Sequence, residues 1–333
     1  GFDVFDLDKL KFVLKPANVN GLTLNGTIGG STADTTQVTK AEESSSLDFK
    51  FSELDLKNVN WRLAMPALKK NTQGQNLNAS LSAKDIDLPK GKFELSKFSI
   101  NAKSISYQTQ SLTNKTPGVF NADDIAFQNF EGTFSEILVS KDNLSLLVDK
   151  LTAKEQSGFE LQDLSTEVKK VGSQVSVKNF VANTPKSTLS FEAETVLNEK
   201  DIANSTFDLN LQKAKLGLDE LLFFDKKIFE NPYLKNLKGQ NILANGKISG
   251  SSKKVNLEKV NVLAPQNTNL SLSGSVANFS EPIFDLNIQN FSSSSKDILS
   301  IVPKDQLPEN INLPNTIALN GTVKGKVEDL NLN

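Results

Sequence analysis

The sequence predicts an all-β protein: an elongated antiparallel meander of half-buried strands with little helix. Three observations predict it. Apolar and polar residues alternate in short runs over most of the 333 residues, the period of a strand with one apolar face. Clusters of Asn, Gly, Ser and Asp, the residues of tight turns, break these runs. One strand type, with an internal glycine and a Gly or Asn at its end, recurs at 21–30, 242–250, 270–278 and 317–325.

The first of these, "GLTLNGTIGG", poses a choice, because Asn-Gly between apolar alternations is a strong hairpin signal. A two-residue loop at Asn25-Gly26 would turn Ile28 away from the face of Leu22 and Leu24. A continuous strand keeps Leu22, Leu24, Gly26 and Ile28 together. The later copies repeat that phase: Ile242, Ala244, Gly246, Ile248; then Leu270, Leu272, Gly274, Val276; then Ile317, Leu319, Gly321, Val323. All prefer one strand running through the Asn-Gly or Ser-Gly pair. The turn then falls at Gly30, Gly250, Asn278 and Gly325, residue types that tolerate positive φ. The internal glycines Gly26, Gly246, Gly274 and Gly321 are expected to thin the apolar wall or let the strand bend.

Further strands are read at "LDFKF" (Leu47, Phe49, Phe51), "LSLLV" (Leu144, Leu146, Val148), "FDLNL" (Phe207, Leu209, Leu211) and "FDLNI" (Phe284, Leu286, Ile288). Helical spacing is confined to two places. One is Leu218 to Phe229, with Asp219 at its start and Pro232 beyond its end. The other is about 295–302, where Ser294 and Asp297 have capping-box spacing and Pro303 stops the turn. Polar stretches at 31–46 and 108–118 read as longer loops, and no stretch reads as a domain linker. Two short helices cannot cover so long a sheet. It must fold on itself as a sandwich or barrel, or curl into a groove or tube with an apolar interior.

Composition narrows the chemistry. Cysteine and histidine are absent, which removes disulfides, thiolate metal sites and the commonest nucleophile and base. With 37 Lys+Arg against 39 Asp+Glu the net charge is -2, so no basic field for nucleic acid exists. Arg62 is the single arginine, leaving lysines without the planar fork that suits bidentate phosphate binding. No run of about 18 apolar residues occurs, and "GFDVFDLDKL" lacks the pattern of a signal peptide. The acidic pair Asp123-Asp124 lacks the surrounding ligands of a calcium loop and reads as a solvated turn before a strand. Asp85 and Asp87 share a strand face and read as outer polar residues rather than an acid and base. Phe223 and Phe224 fit either a small core or a cap over the groove. No enzyme activity, cofactor or metal is expected.

Three stretches together resemble the TamB family, the AsmA-like translocation and assembly module proteins in their Bacteroidetes-type versions. They are Ser157 to Glu192, with a Gly-Phe start leading to "NTPKS"; Ala214 to Leu234, a strand exit into a short helix; and Ser295 to Gly325, which ends in a glycine strand. The resemblance implies a taco-like β-groove that conducts phospholipid acyl chains between the inner and outer membranes in outer-membrane biogenesis. It implies a Gram-negative periplasmic location, an inner-membrane anchor in the full-length protein, and an outer-membrane barrel partner of the TamA kind. This chain would be a segment of such a protein, without the barrel-binding part. Leu22, Leu24, Ile28, Leu270, Leu272, Val276, Phe284, Leu286, Ile288, Ile317, Leu319 and Val323 are the expected lining. The competing readings are an outer-membrane barrel, which should carry girdles of Tyr and Trp where this chain has Tyr 2 and Trp 1, and a surface adhesin or structural β-sandwich array with a packed core.

Overall fold

The computed structural model describes residues 2–6, 11–27, 48–66, 69–87, 90–109, 116–265, 268–302, 313–326 and 328–333. About 68% of it is strand, with one short α-helix and short 3₁₀ turns, so the predicted all-β class is observed. The chain divides into two compact units, Gly1–Ser165 and Thr166–Asn333. No linker in the sequence marks this division.

In the first unit β1 (Phe2–Asp6) pairs antiparallel with β2 (Lys11–Leu14), followed by β3 (Ala17–Asn20), β4 (Thr23–Thr27) and β5 (Asp48–Phe51). The long strands β6 (Glu53–Met65), β7 (Lys70–Asp87), β8 (Lys92–Thr109), β9 (Asp124–Val139) and β10 (Asn143–Glu155) then meander antiparallel, and β11 (Glu160–Leu161) adds to β10. β3 and β4 lie parallel to β6, and β2 lies parallel to β5. The sheet is therefore mixed rather than purely antiparallel. Parallel pairing needs a crossover connection, and residues 28–47, outside the described residues, join β4 to β5. That segment includes Ile28 and the expected loop 31–46. Gln108 and Thr109 of the other expected loop still belong to β8, and 110–115 lie outside the described residues.

β12 (Asp163–Val171) spans the division. The second unit continues with β13 (Gln174–Asn183), β14 (Thr188–Val196), β15 (Thr206–Gly217), β16 (Asn241–Gly250), β17 (Lys254–Leu263), β18 (Asn269–Ala277), β19 (Ile283–Ser294), β20 (Thr316–Lys326) and β21 (Asp329–Leu332). From β13 on, each strand pairs antiparallel with the next. Each described glycine stretch is one strand running through its glycine, as the phase argument required.

The expected helix at Leu218–Phe229 is not α-helical. Leu218–Phe223 and Ile228–Glu230 are 3₁₀ turns, followed by a third at Lys235–Leu237. The physical reason lies in the anchoring: the Leu218 N–H donates to the Gln240 carbonyl, and Glu220 is committed to a neighbouring turn, so the chain must stay short and tight. The second expected helix is present as α1 (Ser295–Ile301), with the Ser294 hydroxyl accepting from the Asp297 N–H at 3.1 Å.

Bulges interrupt the strands at Asn58, Asn129, Asn179 and Lys259, all with φ near +50°. Asparagine tolerates this left-handed conformation better than most residues. The bulged backbone is satisfied sideways: the Asn58 N–H donates to Asn78 Oδ1 at 3.1 Å, and the Lys259 N–H to Ser273 Oγ at 3.1 Å. A bulge bends its strand and shifts the side-chain alternation by one residue.

Candidate functional site: an apolar sheet face

Partners across a β ladder share a face, so the register of the second unit can be followed from strand to strand. One row runs Val177, Ala193, Leu209, Ile248, Leu257, Gly274, Leu286 and Val323. Beside it run Phe207, Gly250, Val255, Val276, Phe284 and Gly325. Beyond the bulges, Leu211 faces Gly246, and Val260, Leu272, Ile288 and Gly321 form a third row. Leu270, Phe291 and Leu319 line up in a fourth. The register thus brings Leu270, Leu272, Val276, Phe284, Leu286, Ile288, Leu319 and Val323 onto one face. Ile317 stands at its edge, opposite Ser293.

This face is half-buried, and exposed at Leu319. Among the described residues the buried apolar side chains are Ala214, Leu218 and Leu237 in the second unit and Val59, Ala79, Ile86, Leu95, Ala102, Val148 and Ala153 in the first, none of them in these rows. A sandwich of two sheets would bury its interdigitated residues completely; here Leu319 remains 46% exposed. Thr195, opposite Phe207, is the one hydroxyl these rows take in, and it donates to the Thr206 carbonyl at 2.8 Å; Lys, Asp and Asn occupy alternate positions (Asp208, Lys247, Asn256, Asp285, Lys324), all exposed.

The expected residues of the first unit are placed differently. Leu22 and Leu24 are exposed at 36% and 43%, and β4 pairs with β6 so that Leu24 lies opposite Trp61. Phe223 is half-buried and Phe224 is 55% exposed. Of the glycines, Gly26 has no atom within 4 Å of a Cβ built on it, whereas one built on Gly246 would sit 2.6 Å from Val260 Cα. Gly246, Gly274 and Gly321 therefore let neighbouring backbones approach, a stronger requirement than thinning the wall. β17 was missed as lining, although "KVNLEKVNVL" alternates on both sides of the bulge; the slip at Lys259 separates Val255 and Leu257 from Val260 and Val262 and hides the common face.

Of the acidic residues singled out in the sequence, Asp85, Asp87 and Asp124 are paired structurally. Asp85 and Asp87 meet Lys92 and Lys90 at 2.7 and 2.9 Å, and both carboxyls are held below the ordinary range by those lysines. Asp124 is 6% exposed at the start of β9 rather than solvated, because Gln108 Nε2 donates to it at 3.3 Å while the strand pairing draws it inward. No group of acidic residues able to hold a metal is present among the described residues.

The 3₁₀ insertion between β15 and β16 is tied to the β13–β14 turn. Buried Glu220 accepts from Thr184 Oγ1 at 2.6 Å, from the Lys186 N–H at 3.1 Å and from Ser187 Oγ. Next to it, Lys186 Nζ donates to Asp219 at 2.7 Å and the Gly239 N–H donates at 2.6 Å. The Lys186 hydrogen bond holds the Asp219 carboxyl below its ordinary value of 3.8. A lowered folded-state value means stabilisation that is complete above the ordinary value and lost as the pH falls through the lowered one. The insertion is thus expected to loosen only in acid, below about pH 4. Hydrogen exchange of residues 218–240 checks this: Lys186→Met should shrink the acid step, leaving the part due to the Gly239 N–H and Lys238, and an unchanged step would assign it to other groups.

The fold and this face define a class: an all-β meander whose second unit presents a continuous apolar face. No protein-family model, curated protein or solved structure matches the chain.

Proposed function

We propose that this chain is a conduit segment that carries phospholipid acyl chains along the apolar face of its sheet, curled as a groove, with headgroups left in water. One observation carries the reading: among the described residues, none of the Leu, Ile, Val and Phe side chains in the aligned rows is buried, as a packed core would require. Burial of a methylene is worth about 0.8 kcal/mol, so an acyl chain of about 16 carbons has ample reason to occupy such a face. Uniform lining without directional partners holds a chain without fixing its position, which suits sliding. The resemblance to the TamB family supports placing the conduit in a Gram-negative periplasm, between two membranes, with an outer-membrane barrel of the TamA kind engaged by other parts of the protein.

Native mass spectrometry on chain produced in a Gram-negative periplasm and freed of detergent tests the reading. Phospholipid that co-purifies and is released only on denaturation is the expected result. A stably folded, lipid-free chain that also refuses a fluorescent phospholipid would overturn it in favour of the adhesin-like structural array.

A further inference from the structure

Residues 218–240 leave the sheet between β15 and β16, and nothing in the conduit reading requires them to be surface-active. They are nevertheless held rigidly: Leu218 and Leu237 are buried, Glu220 is anchored as described, and Asn236 Nδ2 donates to the Ser300 carbonyl of α1 at 2.7 Å. What this fixed base displays is distinctive. Phe224 is 55% and Tyr233 41% exposed, and Lys226, Lys227, Lys235 and Lys238 are exposed around them. Only Asp225 and Glu230 stand exposed against those lysines, because Glu220 is buried and Asp219 is paired with Lys186. The tip is therefore locally positive on a chain whose net charge is -2.

Aromatic rings beside lysines are what a bilayer interface selects: the rings settle at the headgroup level and the ammonium groups reach the phosphates. The opposite end of the sheet also exposes apolar residues, Ile202 at 77% and Phe279 at 50%. There, however, Glu199, Asp201 and Glu281 balance Lys200, Lys253 and Lys254, so the charge bias is missing.

We propose that the β15–β16 insertion docks the protein on the surface of an anionic phospholipid bilayer, with Phe224 and Tyr233 in the interface and the four lysines over the headgroups. Docking at this tip does not depend on acyl chains occupying the apolar face.

The test is co-sedimentation of the whole chain with vesicles of phosphatidylcholine alone and of phosphatidylcholine mixed with phosphatidylglycerol. The wild type is expected to favour the anionic vesicles, with binding that weakens as salt shortens the screening length. Reversing Lys226 and Lys227 together to Glu should lower partitioning onto anionic vesicles by about tenfold or more, while any lipid co-purifying with the chain is unchanged. Phe224→Ser with Tyr233→Ser should weaken binding while preserving the preference for anionic vesicles. Equal binding of the charge-reversed variant would overturn the proposal. So would wild-type binding that ignores vesicle charge, or no vesicle binding at all, the last pointing to an acidic protein as the occupant of the tip.

Discussion

Replacing Gly274 by alanine is expected to destabilise the second unit by about 4 kcal/mol or more. Gly274 lies inside β18 with φ +133°, a conformation essentially reserved for glycine. A Cβ there would press on the Asp285 carbonyl oxygen and lie 2.8 Å from Leu286 Cα. Both atoms are backbone of the adjacent strand β19, paired across Ser275↔Asp285 and Gly274↔Leu286, and cannot rotate away. Relief requires β18 and β19 to separate, which gives up ladder hydrogen bonds and the packing of neighbouring rows. Gly26→Ala is the matched control. It occupies the same position in the repeated stretch but has open space around it and no positive φ, so its effect should stay within about 0.5 kcal/mol. Urea unfolding of both variants is the measurement. Equal losses would mean that the inter-strand approach at Gly274 does not constrain the fold.

Arginine at Leu272 or Leu319 is expected to leave the fold in place and to remove bound lipid by about tenfold or more, since a guanidinium on the face must be desolvated when an acyl chain covers it. The fold should survive because these positions are not enclosed: Leu272 is half-buried and Leu319 is 46% exposed. Their rows differ, Leu272 standing with Ile288 and Gly321 and Leu319 with Phe291, so the two variants probe separate tracks across the sheet. Circular dichroism establishes folding, and extraction of co-purifying phospholipid or transfer of a fluorescent one gives the effect. A folded Leu272→Arg chain that carries lipid as the wild type does would remove the face from the mechanism.

How much was legible in advance follows from the range over which each signal acts. The strands at 242–250, 270–278 and 317–325 could be read through their glycines because alternation is local, and counting phase separates a continuous strand from a hairpin without any partner. The α1 cap was legible for the same reason, since Ser294 and Asp297 lie three residues apart. The 218–240 segment was not. Its leucine and phenylalanine spacing suits an α-helix, but Glu220 is held by Thr184, Lys186 and Ser187, residues more than thirty positions away. The parallel pairing of β3 and β4 with β6 was hidden too, because parallel and antiparallel neighbours have the same alternation.

By itself, then, the sequence determined the period of the chain: which residues alternate, where turns fall, and that neither thiol nor imidazole chemistry is available. Tertiary structure decided which alternating runs share a face. Each bulge, at Asn179 or Lys259 for example, slips the phase by one residue, so strands that look out of step become aligned only once paired. It also separated four look-alike glycines into one that merely tolerates its place and three pressed against neighbouring backbone. The distance from a glycine to the next backbone is set by pairing, and pairing is a property of two strands that neither one encodes alone.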